Sequence, residues 1–240
     1  MQIRAALLAS HDRVWRELAD AGTWLTGKER VALAAETRAA RECAFCAERK
    51  AALSPFSVSG EHVTANDALS PVQVEAVHRI VTDPGRLSRS WVDSLLEAGM
   101  SDAEYVELAG LVSAVVVVDT FHAALGLSLR SLPAPTEGEP TRVRPRTAVV
   151  EGSYVATIPA DDLEPETADL YDTTSFVPNV HRAFSLVPAA TRLANDLMDS
   201  HYFPYERVTS YTDADHDYAV GKMQMELTAS RVSIHNDCFY

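Results

Sequence analysis

The sequence predicts an all-α protein, and three observations point there. Thr26-Gly-Lys-Glu29, Ser70-Pro-Val-Gln73 and Ser101-Asp-Ala-Glu104 each place a hydroxyl three residues before a Glu or Gln, the pairing that caps a helix start. Apolar residues recur at helical spacing through most of the chain. A β-branched, alternating stretch occurs only over 147–158.

Taken in order, residues 3–21 carry Ile3, Leu7, Val14 and Leu18 on one helical face. Their charges (Arg4, Asp12, Arg13, Arg16, Glu17, Asp20) describe an amphipathic helix without the apolar centre of a signal peptide. The Thr26 box opens a helix predicted to run to Leu53, before Ser54-Pro55. Ser70, with Pro71 at the first helical position, opens the next helix. It passes Val77, Ile80 and Val81 and stops at Asp83-Pro84-Gly85. A short helix over 88–98 is closed by Gly99. The Ser101 box opens a strongly apolar helix ending at Leu125-Gly126, where glycine can take the left-handed cap.

Pro133, Pro135, Pro140, Pro145, Pro159 and Pro165 exclude a long helix over 127–165. This stretch reads as a linker packed on the surface, with a short strand or extended arm between Thr147 and Ile158. Helical pattern resumes over 180–201 and again from Asp213, with Val220, Met223, Leu227 and Ile234 as the expected buried stripe.

At 240 residues, the chain has room for one large or two small domains, and 47% hydrophobic content fits a packed core. A net charge of −13 repels phosphate backbones and anionic lipid, which argues against nucleic-acid and membrane partners. The longest apolar run, Val112 to Val118, is far shorter than the roughly 20 residues of a membrane span. A cytoplasmic protein is expected. Cys43, Cys46 and Cys238 are too few for a disulfide scaffold. In a reducing compartment, a C-x-x-C pair is more often redox-active or metal-binding than structural.

Chemistry centres on Cys43-Ala-Phe-Cys46. Glu29, Glu36, Cys43 and Lys50 recur every seven residues, so a straight helix would hold them along one stripe. A thiolate is the reactive form, and Lys50 would favour it by charge. Glu36 would lie about 10 Å from Cys43 along such a helix, so a relay between them needs an intermediary. Two buried cysteines can also be simple packing. A zinc site would require two further ligands. His62, His78 and His122 are available, none at ligand spacing, and no metal or cofactor is expected. His122, three residues after Asp119, is a candidate for an oriented imidazole in the site, and His78 is a second. His201, His216 and His235 read as solvent-facing or subunit contacts, and Tyr202, Tyr205, Tyr211 and Tyr218 as interface or core.

Glu29-Arg-Val-Ala-Leu-Ala-Ala-Glu36 through Cys43-Ala-Phe-Cys46 resembles the redox helix of the AhpD / carboxymuconolactone decarboxylase family. Leu95-Leu-Glu-Ala-Gly-Met-Ser-Asp-Ala-Glu-Tyr-Val-Glu-Leu-Ala109, leading into Asp119-Thr-Phe-His122-Ala-Ala-Leu-Gly126, resembles the helix pair that follows it. Phe176 to Pro188 and Glu226 to Tyr240 resemble parts of a second such unit, with Glu226 and Cys238 at motif positions. The resemblance implies an AhpD-like helical bundle of two related units, 1–130 and an incomplete 176–240, joined by a Pro-rich linker, 131–175. It implies a dithiol–disulfide cycle in which Cys46 attacks a hydroperoxide and Cys43 resolves, with a small hydroperoxide substrate, a thiol reductant and a homo-oligomer. Two motif positions differ: the family histidine falls on Lys50, and the family glutamate on Val31. Other outcomes on the same scaffold are a carboxymuconolactone decarboxylase-like lyase or biosynthetic enzyme using His122 and Asp119, and a non-catalytic oligomeric partner.

Overall fold

The computed structural model of the chain describes residues 3–171, 177–202, 218–236 and 238. The protein is all-α. Its helices are α1 (Ala5–Ala19), α2 (Gly27–Ala40), α3 (Ala44–Ala51), α4 (Pro71–Thr82), α5 (Arg89–Glu97), α6 (Asp102–Ala124), α7 (Asn179–Arg182), α8 (Pro188–His201) and α9 (Lys222–His235). All three expected capping boxes form, at Thr26–Glu29, Ser70–Gln73 and Ser101–Glu104. Each satisfies amides that the first helical turn would otherwise leave unpaired. Gly126 takes φ +65°, the left-handed conformation expected at the end of α6.

The predicted helix over 27–53 is two helices. At Glu42 and Cys43 the amides bond three residues back, to Ala39 and Ala40, and Cys43 turns extended as the N-cap of α3. Neither Gly nor Pro marks this break, which falls where Cys43 meets His62; tertiary context can override helix propensity. The seven-residue stripe from Glu29 to Lys50 is therefore broken at its third member.

Apolar α6 is the central element. Its buried positions lie on several sides, and it packs against α1, α2, α4 and α8. Among the described residues it is the one helix long and apolar enough to cross a membrane, and half of its apolar window is buried inside the fold. Leu33, Val77, Trp91, Val92, Leu108, Leu111 and Val115 belong to the main core. Val14, Trp15, Ala114, Val118, Leu193 and Leu197 form a second one between α1, α6 and α8. Two buried charges on α6 are paired to α2: Glu107 to Arg30 at 3.0 Å, and Asp119 to Arg38 at 2.8 and 2.9 Å.

Beyond Gly126 the chain is irregular, as the prolines require, but it is not confined to the surface. Val155, Ala156 and Ile158 are buried, and Val149 and Thr157 pair in one isolated antiparallel bridge. The helical stretch expected over 180–201 is α7 and α8, separated by a turn. The stripe expected to be buried in the last helix is exposed: Val220 precedes α9, Met223, Leu227 and Ile234 lie on it, and all four are exposed. Apolar period identifies a face of a helix, not what covers it. Tyr205, Tyr211 and His216 lie outside the described residues.

Candidate functional site

α3 begins at the site. As N-cap, Cys43 brings Cys46 into the first turn, beside amides that have no acceptor within the helix and at its positive end. Both sulfurs are buried, Cys43 at 5% and Cys46 at 2% exposure. Two imidazoles meet them. His78 comes from α4, whose buried face runs through Val74, Val77 and His78. His62 comes from the segment between α3 and α4. The Cys46 Sγ lies 3.2 Å from His78 Nδ1 and 3.4 Å from His62 Nδ1, and the Cys43 Sγ lies 3.7 Å from His62 Nδ1.

Each histidine is held from behind by a carboxylate. His78 Nε2 donates to Glu36 Oε1 at 2.8 Å, and both side chains are fully buried. The other Glu36 oxygen accepts from the Ala65 amide at 2.8 Å and the Thr64 hydroxyl at 3.2 Å. Because a carboxylate only accepts, it fixes the proton on His78 Nε2 and leaves the Nδ1 lone pair facing Cys46. His62 Nε2 donates to Glu75 at 2.8 Å. Glu75 also accepts from Arg49, at 2.8 and 3.0 Å, and from the Trp91 indole, at 3.1 Å.

The two histidines differ in charge. Burial lowers the pKa of His78 against the pull of Glu36, with the positive charge of His62 adding to the effect, so His78 is the neutral base. Burial would also lower His62, but its bonds to Cys46, Glu75 and Cys43 outweigh that and raise it to about 10. Burial pushes the Cys43 thiol up, yet the bond from His62 and the amides of Cys46 and Val63 bring it down to about 7. Glu75 is pushed up by burial and drawn down further by His62, Arg49 and Trp91, to about 2. Among these groups, Cys43 thiolate, His62 imidazolium and Glu75 carboxylate form a charge-alternating row.

A cavity of about 840 Å³ opens beside the cluster, lined by Phe45, Phe56, Val58, His62, Glu75 and Trp91 among others. His62 stands between this space and the sulfurs, since it lines the cavity and touches both Sγ atoms.

Of the residues singled out from sequence, Cys43, Cys46, Glu36 and His78 meet here. Lys50 does not; it is exposed, and buried Arg49 is the nearby cation. Asp119 is taken by Arg38, and His122 donates from Nδ1 to the Ser128 carbonyl at 2.8 Å, so the two do not form a pair. His122 instead neighbours His11, which bonds His201 across 2.8 Å. His201 is thus a partner of a buried histidine rather than a solvent-facing one. Glu226 lies on α9, and Cys238 is exposed beyond its end; neither bonds to the cluster.

Ligand spacing along the sequence is a poor guide here. Cys43, Cys46, His62 and His78 offer four donor atoms within 4.8 Å of one another, a set able to hold a metal ion. His78 carried a readable signal, a titratable residue in an apolar helical stripe. His62 is legible only as one of the histidines available to a metal, since it lies outside helical periodicity, and Glu75 carries no signal, looking like an ordinary surface charge on α4. No protein-family model, curated protein or solved structure matches the chain.

Proposed function

We propose that the chain carries AhpD-type dithiol chemistry, reducing a small hydroperoxide or disulfide through Cys46 and Cys43. The observation that carries the reading is the buried row Glu36–His78–Cys46, with contacts of 2.8 and 3.2 Å. Nucleophile, base and orienting carboxylate stand in hydrogen-bond sequence, the arrangement that activates a weakly acidic nucleophile. The row also provides the histidine that the motif position at Lys50 does not.

In the proposed cycle, His78 Nδ1 takes the Cys46 proton. The thiolate attacks the terminal oxygen of the hydroperoxide, the O–O bond breaks, and the alkoxide leaves with the proton from His78. Cys46 is then a sulfenic acid. Cys43 thiolate attacks its sulfur, hydroxide leaves and takes up a proton as water, and a Cys43–Cys46 disulfide results. An external thiol reductant restores the pair. Cycling of this kind suits a reducing, cytoplasmic compartment. The exposed apolar positions of α9 are the surface on which an oligomer would form.

Turnover of hydroperoxide with dithiothreitol as electron donor tests the reading. Cys46→Ser and Cys43→Ser are each expected to abolish it. Turnover at the wild-type rate in either variant would end the proposal. The lyase alternative loses its pair, because Asp119 is held by Arg38.

A further inference from the structure

We infer that Cys43, Cys46, His62 and His78, in the reduced chain, form a four-coordinate site for zinc(II). The site shares its sulfurs with the dithiol chemistry proposed above, but binding stands whether or not that chemistry does.

Distance is the first argument. In a tetrahedral zinc site, with Zn–S about 2.3 Å and Zn–N about 2.0 Å, neighbouring sulfur and nitrogen ligands lie about 3.5 Å apart. Three of the four sulfur–nitrogen separations here are 3.2, 3.4 and 3.7 Å, and the fourth, between Cys43 and His78, falls within 4.8 Å. All four donors fall within 4.8 Å of one another, so they surround one point rather than lie along a line.

Orientation is the second. Metal-bound histidine usually donates its other ring N–H to a carboxylate, which fixes the tautomer and aims the lone pair. Both imidazoles here do so, His78 to Glu36 and His62 to Glu75, each at 2.8 Å, and both turn Nδ1 inward. Two separate histidines with the same backing and the same direction are more than packing requires.

Enclosure is the third. Cys43, Cys46 and His78 are buried, and the His62 side chain is 10% exposed. Four protein donors close the coordination shell, the form of a structural site rather than a catalytic one. Two thiolates with two imidazoles select a borderline-soft ion over magnesium or calcium. The ion would tie the start of α3, the segment carrying His62, and α4 to one centre.

Metal and disulfide compete for the same two sulfurs. Oxidation of the bound form balances as two zinc-bound thiolates, one hydroperoxide and two protons giving the disulfide, one alcohol, one water and free zinc. The oxidised chain is therefore expected to take up no metal.

The test uses the chain reduced, stripped with chelator and titrated anaerobically with zinc chloride alone, with a chromophoric chelator as competitor. One tightly bound zinc per chain is expected. Cobalt(II) in its place is expected to give intense tetrahedral visible bands and sulfur-to-cobalt charge transfer. Cys43→Ser and His62→Asn are each expected to weaken zinc at least 100-fold, and Glu75→Gln by about 10- to 100-fold. His62 lies outside the helices, and an unchanged circular dichroism spectrum will show that its variant is folded. Zinc held equally well by the Cys43→Ser/Cys46→Ser double variant, or by the disulfide form, overturns the inference, as does a cobalt spectrum without sulfur charge transfer. A chain that binds zinc yet, once stripped, consumes no hydroperoxide contradicts the redox proposal alone. A chain that forms the disulfide but binds no zinc contradicts the metal site alone.

Discussion

Glu36 has both carboxylate oxygens engaged inside the core, one by His78 and the other by Ala65 and Thr64. That asymmetry makes Glu36→Gln informative. The Ala65 amide only donates, so the Gln oxygen must face it, and the Gln NH2 is left facing His78. The imidazole must then accept at Nε2 and carry its proton on Nδ1, where it can no longer take one from Cys46. Hydroperoxide turnover is expected to fall by about 10²–10³-fold, within the range for losing a general base. Nitrogen NMR of His78 is expected to report the exchanged tautomer. Wild-type turnover, or an unchanged tautomer, would remove Glu36 from the mechanism. In the sequence, Glu36 is legible as the carboxylate nearest Cys43 on its seven-residue stripe. The stripe calls for an intermediary between Glu36 and the cysteines without naming it; the structure supplies His78, 42 positions away. Distant partners such as His62 and Glu75 leave no local periodic trace.

Two buried ion pairs join α2 to α6, and they are where element packing is most exposed to mutation. Arg30 and Glu107 have side chains 9% and 5% exposed, and Glu107 also accepts from the Trp24 amide at 2.5 Å. Gly22 lies against this pair: a Cβ there would fall 1.9 Å from both Arg30 Nη1 and Glu107 Oε1, so a side chain would displace the two tips. Arg30→Met leaves a buried carboxylate without its cation and is expected to cost about 3 kcal/mol in urea unfolding. The Arg30→Met/Glu107→Leu double variant is expected to recover part of that loss, because it removes the unpaired charge but leaves the Trp24 amide without its acceptor. Equal destabilisation in single and double variants would show that packing, not charge, sets the cost. Helix starts were legible at this scale because a capping box is local: Thr26, Ser70 and Ser101 announce α2, α4 and α6 within four residues each. The end of α2 was not, because only the tertiary contacts of Cys43 mark it. The α9 face follows the same rule, since its apolar period is local and burial depends on what packs against it.

Across the whole molecule, the pH response is expected to depend on a histidine cluster apart from the cysteines. His11 is fully buried at the side of α1, faced by His201, His122, Phe121, Arg130 and Asp12. Burial, with His201, His122 and Arg130 adding to it, lowers His11 from 6.5 to about 4. His201 moves the same way through burial and Arg4. A lowered folded pKa means that the unfolded chain binds the extra proton, so stability is full above about pH 6.5 and is lost as pH falls toward 4. The contribution of His11 is about 3 kcal/mol at most. His11→Phe is expected to flatten the Tm–pH curve across that window, and an unchanged curve would refute the assignment. The central claim is that Cys46, Cys43 and His78 act as one site. Its most direct test is a single turnover of metal-free, reduced chain with one equivalent of hydroperoxide, followed by thiol counting and peptide mapping. The account predicts loss of two of the three thiols, a Cys43–Cys46 disulfide with Cys238 still free, and about 100-fold slower formation in His78→Asn. Oxidation that proceeds equally fast without His78, or that leaves Cys43 and Cys46 unlinked, would contradict it.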